Sequence, residues 1–360
     1  MKIFGRTILL AVLVVLLYPG TASAHVRSTE GAAVIRQDGS TVRFDMNLEY
    51  DLLTAATGLG FPPGTDDQKT RLLTEHHEAV EKYLTDRVDV SIDGVVCESV
   101  LTRTGVLRLQ DRPYARAVLT FTCPGASDGS YRVRYDVFGE RDAIVDEHTS
   151  IVDYQLGGRS GTYVFDGAHH EFEAGRTGIL SAVGRFVAMG VEHILSGLDH
   201  VLFLAVLLLG ARRLGSVVKV ATTFTVAHSV TLVLGVLGWV SVPSQIVEPL
   251  IALSIAYVAV ENIIGGESRR RLLVVFCFGL LHGLGFASTL SFTDELSPRL
   301  IGSLVSFNVG IELGQALIIA VIFPILMLIR RSSWSAVIHL VATLAAAGLG
   351  FVWFFQRLLI

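Results

Sequence analysis

The sequence predicts an α-helical polytopic membrane protein with about six transmembrane helices and an N-terminal exported β-sandwich-like domain. Three observations support this prediction. Hydrophobic residues make up 51% of the 360 residues, which is more than an ordinary soluble domain needs. They are concentrated after residue 178. The first 24 residues resemble a secretory signal. The predicted parts are a signal peptide (1–24), an extracytoplasmic β-rich domain (25–177) and a six-helix membrane domain (178–360).

The signal consists of Lys2 and Arg6, the apolar run "ILLAVLVVLLY", and the small residues of "TASA". An uncleaved anchor helix is the alternative, but alanines at 22 and 24 favour cleavage. Cleavage after Ala24 would make His25 the first residue. A free α-amine and an imidazole on one residue can chelate a metal such as Cu(II); the alternative is that His25 has no role.

The next region shows alternating apolar residues and tight-turn signals that are typical of an antiparallel β-sandwich. A hairpin is predicted over 32–50, with its turn at "QDGS", and one helix over about 67–86. Cys97 and Cys123 are expected to form a disulfide in an oxidising compartment, although two buried thiols would also fit. Further strands are expected at 88–96, 116–122, 131–137 and 162–165.

The exported region is acidic, with 16 Lys and Arg residues against 25 Asp and Glu residues between 25 and 177. This charge argues against a nucleic-acid partner and is compatible with gathering cations. The segment "GAHHEFE" (167–173) could pass cations towards the membrane, or it could be a plain polar linker.

Six apolar segments have the roughly 20 residues that a bilayer requires. The loops after the first, third and fifth segments contain several arginines, including Arg213, Arg270 and Arg331, whereas the other two loops contain only Arg299. The positive-inside rule then places the odd-numbered spans running inwards, with the N-terminal domain outside the cytoplasm of a multi-pass inner-membrane protein. A more amphipathic piece (178–188) is expected along the interface before the first span. The predicted spans are 189–210, 216–238, 244–264, 271–291, 301–329 and 334–356.

Ionisable residues inside these spans indicate a function, because each costs about 2.5–3.5 kcal/mol if unpaired at the bilayer centre. His193 and His200 lie seven residues apart and would share one face of a continuous helix, with Asp199 beside them. His228 and His282 come from other spans, and Glu312 lies on a polar stripe with Asn308 and Gln315. These groups predict a metal site, with His193 nearer the outer surface. The predicted ligands are His193, Asp199, His200, His228, His282 and Glu312; Asn308, Glu192 and His25 are weaker candidates.

Imidazole and carboxylate suit Ni, Co, Zn, Fe or Cu(II), and no Cys or Met pattern suggests a Cu(I) path. The alternative is that each histidine hydrogen-bonds a neighbouring helix. That alternative is preferred for His339, which has no ionisable neighbour in its span.

The motifs "HILSGLDH", "FTVAHSVTL", "LLHGLGFA" and "FNVGIELGQ" resemble those of the HupE/UreJ family, in a long form with an exported N-terminal domain. The first motif matches the family's H-x5-D-H signature at His193, Asp199 and His200. The second family motif, F-H-G-x-A-x-G-x-E, is altered: His282 and Gly283 match, Leu281 replaces Phe, Gly285 and Ala287 exchange the small residues, and Thr289 stands in place of Glu. Glu312 could supply the missing carboxylate, or the metal preference could differ.

The resemblance implies a nickel or related divalent-metal permease with no catalytic activity. The metal would be the substrate, nickel being favoured over Co, Zn and Cu. The lipid bilayer would be a partner, as would hydrogenase- or urease-type maturation machinery. Two other functions remain open: an intramembrane zinc-dependent hydrolase, since three His and an Asp can activate water, and a non-transporting metal-binding accessory protein.

Overall fold

The computed structural model describes residues 28–60, 63–109, 112–124, 129–145, 147–175, 179–211, 213–264, 270–287 and 298–359. These residues form a β-rich region, followed from Ile179 onwards by long helices. Residues 1–27 lie outside the described part of the chain, and so do the predicted signal peptide and His25.

Ten strands form two sheets in the β-rich region. The larger sheet has the order β5-β6-β2-β1-β8-β9, and the smaller has the order β10-β7-β3-β4. The strands are β1 (Ser28–Asp38), β2 (Thr41–Glu49), β3 (Val88–Ile92), β4 (Val95–Val96), β5 (Glu98–Leu109), β6 (Arg112–Thr122), β7 (Tyr131–Tyr135), β8 (Glu147–Leu156), β9 (Arg159–Phe165) and β10 (Glu171–Glu173).

The predicted first hairpin is confirmed. β1 and β2 pair antiparallel with Asp38 opposite Thr41, and Gly39 provides the positive φ of 60° that the turn requires. The expectation of a wholly antiparallel sandwich was wrong, because β1 also pairs with β8 in parallel, from Ser28 opposite Glu147 onwards.

Three short helices interrupt the strands: α1 (Tyr50–Ala56), α2 (Asp66–Glu75) and α3 (His77–Thr85). Thr65 caps α2 in a reciprocal capping box with Gln68. The single helix predicted over 67–86 is therefore two helices, separated at His76, whose φ of −106° and ψ of 32° leave the helical region.

The core of the β-rich region lies between the two sheets. Alternate residues of β2, including Phe44 and Met46, are fully buried, and Phe44 packs against Tyr135 of β7 with ring centres 6.1 Å apart. Phe165 of β9 and Phe172 of β10 make a similar contact at 5.7 Å. Apolar side chains from both sheets thus share one interior, as in a sandwich.

The predicted disulfide is confirmed: Cys97, just before β5, bonds to Cys123 at the end of β6. Both residues are buried, and they are 26 residues apart in the sequence. The bond therefore closes a loop that the unfolded chain would otherwise leave open.

Replacing both cysteines, as Cys97→Ala/Cys123→Ala, is expected to destabilise the β-rich region by about 2–4 kcal/mol, because the unfolded chain regains the entropy of the open loop. Thermal unfolding of the purified full-length protein, followed by near-UV circular dichroism, measures the change. Cys277→Ala is the control, since Cys277 is an exposed free cysteine. Equal unfolding temperatures for the double variant and this control would contradict the prediction.

Seven helices follow within the described residues. Four of them are long and apolar enough to cross a membrane, and a fifth span is possible if the bent pair α4–α5 counts as one. Six spans therefore remain a prediction. The helices are α4 (Ile179–Ser196), α5 (Leu198–Gly210), α6 (Leu214–Val236), α7 (Ser244–Ile264), α8 (Arg270–Ala287), α9 (Pro298–Arg330) and α10 (Ser335–Leu358).

The first predicted span differs most from the structure. Residues 189–210 are not one helix, because α4 and α5 meet at Gly197 with a bend of 70°. The piece predicted to lie separately along the interface (178–188) is instead the beginning of α4. The fourth predicted span (271–291) extends beyond Ala287, and its last four residues lie outside the part of the chain that the structure describes.

Glycines of the motifs "LLHGLGFA" and "FNVGIELGQ" lie where helix backbones touch. A side chain on Gly310 of α9 would collide with the carbonyl of Val187 on α4, and one on Gly283 of α8 would collide with the carbonyl of His228 on α6. The small residues of both motifs thus let the helices approach closely.

The C-terminal end of α5 is held by side chains from four other helices. Asn262 donates to the carbonyl of Val206 at 2.7 Å, and Arg271 donates to that of Leu207 at 3.0 Å. Arg330 donates to Leu208, Leu209 and Ala211, and His339 is 3.0 Å from the carbonyl oxygen of Leu209. Helix ends leave their last carbonyls unsatisfied, so these contacts cap α5 and support a structural role for His339.

The β-rich region rests on α4 and α7. Arg185 of α4 donates to the carbonyl of Val164 at 3.1 Å and stacks over Tyr163, 4.0 Å from the ring centre. Arg112 of β6 forms an ion pair with Glu248 of α7. The β-rich region therefore contacts the first helix of the bent pair and α7.

Candidate metal centre

Four histidine rings from four different helices come together beside the bend. His200 of α5 is central: its ring centre lies 4.7 Å from that of His193, 6.2 Å from that of His228 and 5.3 Å from that of His282. His193 and His228 are 6.1 Å apart. The predicted association of these four histidines is thus present in the structure; we call them the histidine cluster.

The bend, and not a shared helical face, brings His193 and His200 together. Gly197 has a ψ of 94°, which ends α4 and starts α5 in a new direction. A methyl group at this position would lie 2.5 Å from Nδ1 of His200 and 2.8 Å from the carbonyl oxygen of His193. The site therefore requires a residue without a side chain at position 197.

Aromatic rings enclose the histidine cluster. Phe224 lies 5.0 Å from His282 and 6.0 Å from His228, and Phe203 lies 5.1 Å from His282. His228 and His282 are almost wholly buried, at 0% and 2% exposure. In such surroundings a neutral imidazole is much less costly than a charged one, and neutral imidazole is the form that binds metals.

The hydrogen bonds leave ring nitrogens available to a ligand. Nδ1 of His282 is 2.8 Å from the carbonyl oxygen of Phe278, so it carries the proton and Nε2 presents its lone pair. Among the described residues, Nε2 of His282 and both ring nitrogens of His200 and His228 have no hydrogen-bond partner. Buried polar atoms without partners are uncommon in folded proteins. A metal ion would satisfy one such nitrogen on each ring.

The four rings are close to one another, but their nitrogens are not yet arranged as the ligands of one metal ion. With metal–nitrogen bonds of about 2.0–2.1 Å, two imidazoles sharing one ion hold their ring centres roughly 5–6.5 Å apart; the observed range is 4.7–6.2 Å. As they stand, no group of three or more His, Cys, Asp or Glu side chains among the described residues can hold a metal ion. Rotation of His200 and His228, which no hydrogen bond fixes, is therefore part of any binding event.

Asp199 forms an ion pair with an arginine of the same chain. Its Oδ2 accepts a hydrogen bond from Arg357 of α10 at 2.9 Å, in an ion pair whose side chains are 22% and 12% exposed. The other oxygen has no hydrogen-bond partner among the described residues. Asp199 is also in the first turn of α5, where the helix dipole favours a negative charge. A ligand role for Asp199 stays a prediction.

The polar stripe on α9 packs against α6. Asn308 accepts a hydrogen bond from Ser229 at 2.7 Å and Gln315 accepts one from Thr225 at 3.2 Å. Glu312 lines a groove of about 350 Å³ together with Thr222 and Gln315. Metal binding by Asn308 and Glu312 stays a prediction.

Two cavities border the bent pair. The first, of about 410 Å³, lies between the β-rich region and α4, and Glu192, next to His193, is part of its wall. The second, of about 860 Å³, lies at the far end of α5 and is lined by Gly210, Glu261, Asn262 and Arg271, among others. Along the chain, His193 and His200 of the histidine cluster thus lie between Glu192 of the first cavity and Leu209 of the second.

Sequence reasoning missed Gly197 and Arg357 as parts of the site. Gly197 lies inside the motif "HILSGLDH". A glycine within a predicted span is the signal that could have indicated a helix break there. Arg357 stands one residue beyond the predicted end of the sixth span, where an arginine is easily taken as a bilayer anchor.

The fold and the site define a polytopic helical membrane protein with an N-terminal β-sheet region and a group of four imidazoles from four helices. The family model described as "HupE / UreJ protein" matches residues 168–357, more than half of the chain. The chain therefore belongs to the HupE/UreJ family. A comparison with curated protein sequences finds no match.

Proposed function

We propose that this protein is a permease for a divalent transition metal, nickel or a chemically related ion, which binds at the histidine cluster during passage. The observation that carries the proposal is the meeting of four imidazoles from four helices at a helix break. Broken helices inside membranes are tolerated where they line a cavity or a binding site. Membership of the HupE/UreJ family supports a metal-related transport or accessory role.

The two cavities support transport over permanent binding. An ion entering from the side of Glu192 would reach His193 first, and then His200, His228 and His282. The second cavity begins at the far end of α5. Imidazole ligands suit Ni, Co, Zn and Cu(II), and rings without fixed hydrogen bonds can release an ion as readily as they accept it.

Location and partners follow from the same proposal. The chain would be a multi-pass protein of the inner membrane with its β-rich region outside the cytoplasm, where a disulfide is stable. Signal-peptide cleavage after Ala24 belongs to this proposal, as do the boundaries of the three sequence regions. The imported metal would serve hydrogenase- or urease-type maturation machinery.

The test is uptake of radiolabelled Ni, Co, Zn and Cu by proteoliposomes that contain the purified protein. Wild type is expected to accumulate at least one of these ions above empty liposomes. His200→Ala is expected to lose most of that uptake, because it removes the ring that contacts the three others. His76→Ala is the matched control, since His76 is exposed on the β-rich region.

Two outcomes would contradict the proposal: no metal moves, or His200→Ala moves it as fast as His76→Ala does. Zinc that survives dialysis, together with lipid amidase activity, would instead favour an intramembrane hydrolase, because such an enzyme needs a permanently bound metal with an open position.

A further inference from the structure

The cavity between the β-rich region and α4 has a wall of unusual composition. Its lining includes three carboxylates (Asp136, Asp166 and Glu192) and two imidazoles (His148 and His170). None of the lining residues that the structure describes is a lysine or an arginine. We call this space the outer cavity.

The fold brings these side chains together from distant parts of the chain. Asp136 follows the end of β7, Asp166 follows the end of β9, and His170 directly precedes β10. Glu192 comes from α4 on the opposite wall. Nδ1 of His170 is 3.7 Å from Oδ1 of Asp136. The cluster therefore exists only when the β-rich region is seated on the helices.

The back wall is rigid. His148 is 8% exposed, and its Nε2 is 3.0 Å from the hydroxyl of Tyr135. Burial raises the pKa of Tyr135, which therefore stays protonated. Phe138 packs edge-on against His148 and holds a φ of 55°, a conformation that a bulky residue rarely adopts without support from its surroundings.

Negative charge in a confined space raises the local concentration of cations. A volume of about 410 Å³ has room for a divalent ion with its water shell, so Asp136 and Glu192 can attract the ion before any direct bond forms. Asp166 is already paired with His169, whose Nδ1 is 2.8 Å from its Oδ1. Glu192 of the cavity wall and His193 of the histidine cluster are consecutive residues of α4. Their side chains leave the helix about 100° apart, so the cavity and the cluster border the same turn of α4.

We propose that the outer cavity is a second cation site, which captures a hydrated divalent metal ion from outside and delivers it to His193. The proposal rests on the permease function proposed above and adds to it a reason for the β-rich region: Asp136, Asp166 and His170 complete a chamber that the helices alone would leave open.

The test measures binding and uptake of Co²⁺ in the full-length protein. In equilibrium dialysis, wild type is expected to hold two Co²⁺ ions, and Asp136→Asn/Glu192→Gln and His200→Ala are expected to lose one each. In proteoliposomes, the double variant is expected to need roughly tenfold more Co²⁺ for half-maximal uptake, with its maximal rate kept. The difference should shrink at high ionic strength, which screens the lost charges.

The matched control is Asp38→Asn/Glu75→Gln, which removes the same two charges from exposed positions of the β-rich region. Each single substitution is measured as well, in case the double variant unfolds early. A double variant that binds and transports Co²⁺ like the control overturns the outer cavity as a site. Wild type that holds Co²⁺ in the cavity but transports none overturns the permease function and, with it, delivery to His193.

Discussion

Gly197→Ala is expected to reduce metal uptake at least tenfold while the protein still inserts into the membrane. The added methyl group would lie 2.5 Å from Nδ1 of His200 and 2.8 Å from the carbonyl oxygen of His193, well inside van der Waals contact. Alanine also favours a continuous helix over glycine by about 1 kcal/mol. Both effects open the bend, and an opened bend separates the rings of His193 and His200.

Uptake per reconstituted protein measures this loss. Gly184→Ala is the matched control: Gly184 lies on α4, and a methyl group there would have no neighbour within 4 Å. If the Gly197 and Gly184 variants transport equally well, the bend is not needed for ion passage, and the role of the histidine cluster must be sought in its individual rings.

Arg357→Met is expected to destabilise the helical region by about 3 kcal/mol. The change leaves the carboxylate of Asp199, 22% exposed, without its cation, and it removes the hydrogen bond from Arg357 to the carbonyl of Glu248. Breaking one side of a buried ion pair typically costs about 3–5 kcal/mol, because the remaining charge is poorly solvated. Unfolding in mixed detergent micelles gives the free-energy difference.

Two further variants identify the cause. Arg357→Met/Asp199→Leu should recover most of the lost stability, since no charge is then left unpaired. Arg36→Met breaks the pair with Asp153, whose side chains are 44% and 28% exposed, and should cost no more than about 1 kcal/mol. A double variant as unstable as Arg357→Met would show that the arginine acts through packing and not through Asp199.

Sequence patterns predicted the elements that depend on local signals. The alternation of Phe44, Met46 and Leu48 and the turn at Gly39 were sufficient for the first hairpin, and long apolar runs were sufficient for the helices from α6 to α10. The strand β5 was not predicted, because it alternates poorly: most of its residues are exposed or half-buried. The parallel pairing of β1 with β8 joins segments more than 100 residues apart, and no local pattern encodes it.

The candidate site shows the same division. Residue chemistry identified the four histidines, but the expected geometry was wrong for His193 and His200. A spacing of seven residues predicts a common face only if the helix is continuous, and Gly197 interrupts it. The partner of Asp199 could not be foreseen, because Arg357 comes from the far end of the chain and meets it only after the helices have packed.

The capping of α5 determines which part of the bent pair can move. Four helices hold the last carbonyls of α5 through Asn262, Arg271, Arg330 and His339, so tilting α5 would break several hydrogen bonds at once. A change in the angle at Gly197 would therefore displace α4 together with α9, whose backbone touches it at Gly310. Because α4 carries both Glu192 and His193, one such displacement would alter the outer cavity and the histidine cluster together. Capture of an ion in the outer cavity and its coordination by the histidine cluster would then be steps of a single helix motion.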